Sequence, residues 1–252
     1  MKSFLPQTVS NHLLAALPVE ERGFLASFMT ECELHAGQIL QTLHKPSPYL
    51  WFPNSGLISL RAEITPGNGL EVAIVGNDGV VGIPCVDAPL TSPLSALVQI
   101  SGSATRIGID KFFAVSNEMP ILSKLLSAAT ENLLLQTAQS AVCSHCHLLE
   151  ARFARMLLLT RRCLALDEFH LTHEFISQAL GVRRVGVTKA ATSLQMQRLI
   201  RYSRGAIAII DVPGLTQAAC SCYNSEIQMR SLAASRKITD VCSLPHRGGD
   251  HG

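Results

Sequence analysis

The sequence predicts an α+β chain. Its parts are an N-terminal double-stranded β-helix (a jelly-roll sensor domain), a long helix, and a C-terminal winged helix-turn-helix. Three observations carry this prediction. Short apolar or alternating runs, broken by Gly, Pro and Asn, fill residues 37–109, the pattern of many short strands. From Pro120 apolar residues recur at spacings of three and four, the pattern of a long helix. Between Glu174 and Asp211 stand six cations and no acid, over a stretch that reads as helix, Gly turn, helix and strand pair.

Taken in order, residues 8–30 read as a short helical pair, with Leu13, Leu14, Leu17, Phe24, Leu25 and Phe28 on the buried side. The strand runs are GQILQTL, YLWFPNSGLISLRAEI, GNGLEVAIVGNDGVVGI and SALVQISGSATRIGI. Pro66-Gly67-Asn68-Gly69 marks a hairpin turn, because Asn and Gly tolerate positive φ. The roll is expected over residues 1–119 and the connecting helix over 120–146, with Pro120 suited to its first position. Leu122, Leu126, Ala129, Leu133, Gln136 and Ser140 form a seam on that helix. They are expected to make a dimer contact, the alternative being a helix laid on its own roll. A helix over 147–164 opens the DNA-binding domain (147–223), and residues 224–252 read as a disordered tail.

The chain has 252 residues, 47% of them apolar and 16% charged, enough for one large or two ordinary domains. The net charge of +2 hides an asymmetry. Residues 1–146 hold 7 Lys/Arg against 11 Asp/Glu, and residues 147–252 hold 14 against 8. That split suggests an acidic sensing half and a nucleic-acid half. No export signal and no membrane-spanning apolar run are visible. Eight cysteines are then most simply reduced thiols, and the chain is expected in the cytoplasm.

Within 171–210, Thr172 can cap a first helix that runs to Leu180, and Gly181 permits the left-handed turn that ends it. The second helix runs from Arg184 to about Arg198. Val187, Ala190, Ala191 and Leu194 are read inward, and Arg183, Arg184, Gly186, Thr188 and Lys189 outward. The first residues of such a helix reach base edges in the major groove. Arg184 and Lys189 can donate to guanine, and Thr188 can contact base or phosphate. Ser203-Arg204-Gly205 reads as the turn of a hairpin wing, with Arg201 and Arg204 on phosphates.

The order of roll, long helix and winged helix-turn-helix resembles the Crp/Fnr family of bacterial transcription regulators. The segments that carry the likeness are YLWFPNSGLISL, GLEVAIVGNDGVVG, CSHCHLLEARFARMLL, LTHEFISQALGVRRVGVTKAATSLQ and LIRYSRGAIAIIDVPGL followed by CSCY. The resemblance covers about residues 10–223. It implies a homodimer on a two-fold-symmetric site in double-stranded DNA, recruiting or blocking RNA polymerase; whether a small-molecule effector exists is left open. Two departures matter. Family members that read TGTGA or TTGAT carry a Glu where this chain has Val185, and Lys189 replaces a usual Arg, so the half-site is expected to differ. Cyclic-nucleotide members hold ribose with a Glu and phosphate with an Arg. Here Ile83 and Leu94 fall at those positions, Ser95 remains, and cAMP is not expected to bind, since the anion would be left unpaired.

No cofactor is expected. Oxygen-sensing relatives ligate an iron–sulfur cluster, which needs four thiolates, whereas only Cys32 and Cys85 precede the long helix. Cys143-Ser-His-Cys146-His147 spells the c-type haem string. Haem is disfavoured without export, and metal because Cys143, His145, Cys146 and His147 cannot close a tetrahedron from one helical segment. Cys220-Ser-Cys222 is a candidate redox pair, although its ring would be strained. His12, His35, His44, His170 and His173 lie apart from any nucleophile. No nucleophile–base pair or paired carboxylates appear, and Gly76-Asn77-Asp78-Gly79 is a turn rather than a P-loop, so enzyme function is not expected. The competing class is a ligand- or redox-responsive module that regulates a protein partner, with the helix-turn-helix as scaffold.

Overall fold

The computed structural model describes residues 11–65, 68–83 and 92–228. Two short helices open it, α1 (His12–Ala15) and α2 (Val19–Ala26). The buried Asn11 accepts from the Leu13 and Leu14 amides and donates to the Pro53 and Gly79 carbonyls, so one side chain both caps α1 and ties it to the roll. Leu13, Leu14, Leu17 and Leu25 are buried as expected. Phe24 is not: it turns outward, its ring edge-on to Phe28 at 5.4 Å.

Among the described residues the roll has seven strands: β1 (Met29–Leu34), β2 (Ile39–Gln41), β3 (Tyr49–Pro53), β4 (Leu57–Thr65), β5 (Asn68–Val75), β6 (Ser95–Ile100) and β7 (Gly102–Gly108). They form two antiparallel sheets, ordered β1-β7-β3 and β2-β6-β4-β5. β4 and β5 pair as a hairpin with Thr65 opposite Asn68; Asn68 and Gly69, expected in the turn, belong to β5, and Pro66 and Gly67 lie outside the described residues. Strand β1 was not expected. It is an edge strand whose Thr30, Glu31 and Glu33 face water, so it lacks an apolar alternation to reveal it. β3 explains the unbroken run YLWFP, since it is buried on both faces. Trp51 enters the core between the sheets with Leu34, Ile58, Leu60, Val75 and Val98. Leu50 and Phe52 point the other way, into a core shared with the helices.

Helix α3 (Ile109–Ser116), also unforeseen, leads into α4 (Pro120–Cys146). The 27 residues of α4 span about 40 Å. Both carboxylate oxygens of Glu21 accept from α4's first amides, Ile121 and Leu122, each at 3.1 Å.

The seam expected at a dimer contact lies on the chain's own roll. Leu122 and Leu126 are buried in the helix–roll core, and Ala129 packs at its edge. Leu133 leans on the sheet core, Gln136 accepts from the Ile74 amide at 3.4 Å, and Ser140 borders a concavity beside β5. A three-four periodicity marks an apolar stripe without saying which surface covers it, and here the roll covers it. On another face of α4, Leu134 (67%), Ala138, Ala141 and Val142 (52%) are exposed.

Beyond α4 the chain forms α5 (Leu149–Leu164), β8 (Glu168–His170), α6 (His173–Leu180), α7 (Arg184–Met196), β9 (Ile200–Ser203), β10 (Ala206–Ile209) and α8 (Val212–Ala218). One core of Phe153, Leu157, Ile176, Val187, Leu194 and Ile207 holds them. The tail expected from residue 224 begins as structure: residues 222–228 are helical, and Glu226 is buried against Arg155 at 2.7 Å. Residues 229–252 lie outside the described residues. β5 packs on α6 as well as on α4, so roll and C-terminal domain touch directly.

Candidate nucleic-acid interface

Helix α6 begins where expected. The Thr172 hydroxyl accepts from the Phe175 amide at 3.1 Å, satisfying one orphan donor. Gly181 ends it with φ of 64°, and the Val182 amide reaches back to the Ser177 carbonyl at 2.9 Å. α7 follows directly. Its inner face is Val187, Ala190, Ala191 and Leu194, all buried as expected.

Its outer face carries Arg183, Arg184, Val185, Thr188 and Lys189, all exposed within the first turns. Gly186, expected there, belongs to the inner side. A Cβ on it would lie 3.0 Å from Leu149 Cδ2, so the glycine lets α7 seat on α5.

The wing forms as a three-stranded sheet, ordered β8-β10-β9. β9 and β10 meet across Arg204-Gly205, whose φ values of 50° and 90° are the positive pair that a two-residue hairpin turn demands. Arg201 and Arg204 are both exposed. His170 Nε2 lies 3.2 Å from the Arg204 carbonyl, and the Leu171 amide donates to the Gly205 carbonyl at 2.8 Å, so β8 braces the tip. β8 had no sequence signal beyond three residues, Glu168, Phe169 and His170.

Two of the six cations have acidic neighbours from outside the acid-free stretch. The Arg184 guanidinium pairs with Glu174 on α6, and Gln178 donates to the other Glu174 oxygen at 2.7 Å. Arg201 lies 3.6 Å from Glu168. Arg184, Arg201 and Glu168 are largely exposed and Glu174 is half-buried, so these pairs hold orientation more than they add stability.

A concavity between α7 and the wing is lined by Thr172, His173, Thr188, Thr192, Gln195 and Tyr202, with Arg204 at its rim. Sequence reasoning missed most of these. The His173 ring packs tilted against Tyr202 with ring centres 4.8 Å apart, and its Nδ1 lies 3.5 Å from the Thr188 hydroxyl. Thr192 and Gln195 could have been found by continuing the outward face of α7 past Lys189 by one turn.

The thiols are arranged differently from expectation. Within the haem-like string Cys143 is buried and Cys146 is exposed. Cys143 and His147, from the last turn of α4, meet Cys220 and Cys222 from beyond α8, with all four ligand atoms within 4.8 Å of one another. Cys143 Sγ is 3.5 Å from Cys220 Sγ, and Cys222 Sγ is 3.6 Å from His147 Nδ1. The expectation that one helix cannot close a tetrahedron holds for that helix alone; the fold supplies the other two donors from 77 residues away. The hydrogen bond with Cys220, together with burial, pushes the Cys143 thiol up, and the same hydrogen bond draws Cys220 down.

Residues 151–218 match the Crp-like helix-turn-helix domain. No curated protein matches the chain in sequence. Among solved structures, FixK2 from Bradyrhizobium japonicum superposes with a TM-score of 0.66 at 17% identity, over 77% of this chain and 98% of that one. A transcriptional regulator of the Crp/Fnr family from Eubacterium rectale gives 0.62 at 14%, over 84% and 99%. The c-di-GMP responsive global regulator CLP from Xanthomonas campestris gives 0.60 at 14%, over 73% and 95%. No helix of the described residues is long and apolar enough to cross a membrane. The chain therefore has the fold of the Crp/Fnr transcription regulators and carries a Crp-like helix-turn-helix domain at residues 151–218.

Proposed function

We propose that this chain binds duplex DNA as a homodimer and regulates transcription in the cytoplasm by recruiting or blocking RNA polymerase. The observation that carries the reading is the cationic outer face of α7 beside a braced, cationic wing. Arg183, Arg184, Thr188 and Lys189 supply donors at the end of the helix that enters the major groove, and Arg201 and Arg204 reach flanking phosphates. Val185 is 60% exposed between them. A valine there cannot accept from cytosine N4 as a glutamate would, and suits a thymine methyl group. Thr172 borders the same concavity, which supports a phosphate contact there.

Pairing is assigned to the outward face of α4, Leu134, Ala138, Ala141 and Val142. The opposite stripe is spent on the roll, and an exposed Leu–Val pair on a 27-residue helix fits a second copy of the same helix. Two features of the described residues support a roll that does not take cAMP. Leu94 packs on the sheet core, and the Ser95 hydroxyl donates to Glu63, a carboxylate that would repel a phosphate.

The test is selection of bound duplex from a random pool. An inverted repeat with half-sites about 34–36 Å apart is the expected result. Affinity should fall with salt at a log–log slope near −0.9 per phosphate neutralised. A monomer that prefers no duplex at moderate salt would favour the competing class, a module that regulates a protein partner.

A further inference from the structure

The four donors Cys143, His147, Cys220 and Cys222 make a site that the DNA-binding reading does not use. We propose that they bind one Zn²⁺ ion in a tetrahedral Cys₃His site.

Geometry carries the assignment. With Zn–S near 2.3 Å and Zn–N near 2.0–2.1 Å, a tetrahedron has S···S edges of about 3.8 Å and S···N edges of about 3.5 Å. The 3.5 Å between Cys143 Sγ and Cys220 Sγ and the 3.6 Å between Cys222 Sγ and His147 Nδ1 are two such edges. The remaining pairs lie within 4.8 Å, so small side-chain shifts complete the figure.

The pairing of donors in the chain has the same logic. Cys143 lies in the last turn of α4, and His147, the residue that caps that helix, is tied to it by its amide, which donates to the Cys143 carbonyl at 3.3 Å. Cys220 and Cys222 are two apart where the chain leaves α8, so both thiols can turn the same way. Three of the four are buried, which keeps water from completing an octahedron. Thiolate-rich tetrahedral sites select zinc over harder divalent ions.

The surroundings fit a ligated thiolate. Gln139 Nε2 donates to Cys222 Sγ at 2.8 Å, the outer contact that orients a ligand. Arg155 borders the same concavity as Cys143, and its positive charge opposes the excess negative charge of three thiolates on a dication. Ligation releases the thiol protons to solvent.

The ion would join the end of α4 to the end of the C-terminal domain across the break at His147, where α4 gives way to α5. It would thereby fix the angle between connecting helix and reading head. That consequence rests on the DNA-binding reading; the metal site itself does not.

The test uses full-length chain purified under reducing, metal-free conditions and titrated with Co²⁺ and then Zn²⁺, without DNA. Expected are one ion per chain, intense tetrahedral d–d bands and thiolate charge transfer, both removed as Zn²⁺ displaces Co²⁺. Cys220→Ser and Cys222→Ser should each weaken affinity on the order of 100-fold or more, and Gln139→Leu roughly 10–100-fold. Cys146→Ser should leave binding unchanged, and His147→Cys should keep an ion with a four-thiolate spectrum, so the idea stands on variants that keep a ligand set. Weak octahedral spectra, unchanged binding in both cysteine variants, or a Cys143–Cys220 disulfide in the anaerobically purified chain would overturn it. Because DNA is absent, failure here leaves the DNA-binding proposal untouched.

Discussion

Glu71 is an acid placed where an ionised carboxylate is least welcome. It lies on β5 and lines the concavity between the roll and helices α4 and α5. One of its oxygens, Oε2, is enclosed without a hydrogen-bond partner. Burial pushes its pKa from 4.5 up to about 7, against the opposing pull of the Ser59 hydroxyl, Arg155 and Arg61; the Glu226 carboxylate adds to the rise. The folded pKa exceeds the unfolded one, so between about pH 4.5 and 7 the folded chain keeps a proton that the unfolded chain has lost. This contribution to stability is fully present below pH 4.5 and is lost as pH rises through 7. A separation of about 2.5 in pKa, at 1.36 kcal/mol each, comes to about 3 kcal/mol. Glu71→Gln keeps the shape and removes the titration. Urea unfolding of parent and variant, followed by the fluorescence of Trp51, the chain's one tryptophan, gives the difference at each pH. The variant should gain on the parent by about 2.5 kcal/mol between pH 5 and pH 8, with other acids cancelling in the comparison. A difference that stays flat across that window, or grows toward acid, would refute the reasoning.

Three further predictions concern the interface and its support. Arg184→Ala should cost about 1–3 kcal/mol on the selected site and relax base preference, whereas Arg204→Ala should weaken all sequences alike and lower the salt slope by about 0.9; binding isotherms at several salt concentrations separate the two. Leu134→Glu places a charge at the centre of the proposed helix pair, so sedimentation should find a monomer with an unchanged circular dichroism spectrum. Gly181→Ala forces a left-handed residue with a side chain and sets its Cβ 2.8 Å from Leu70 Cδ1; thermal unfolding should show a loss of about 1–2 kcal/mol.

What the sequence could reveal was set by range. The turn at Gly181, the cap at Thr172 and the inward row of Val187, Ala190, Ala191 and Leu194 depend on neighbours within a few residues, and all are found where local chemistry puts them. Gly186, in an outward register, is half-buried because a distant residue, Leu149, packs against it, which no local pattern reveals. β1 and β8 escaped notice because edge and three-residue strands have too few buried positions to alternate. The stripe on α4 was visible, but periodicity reports only that some surface will cover it. The roll's own core claimed Leu122, Leu126 and Leu133 first, since intrachain burial involves no loss of translational freedom, whereas pairing with a second copy does. The cysteines extend the argument. Cys143 and Cys220 are adjacent only because α5 and α8 pack together, with Ala151 on α5 accepting from the Cys220 amide at 3.3 Å. Neither CxxCH nor CSC contains four usable donors, and each alone is a poor site. The site exists as a property of tertiary packing, so substitutions in the α5–α8 contact should disturb metal binding as surely as loss of a ligand, while leaving the exposed face of α7 chemically intact.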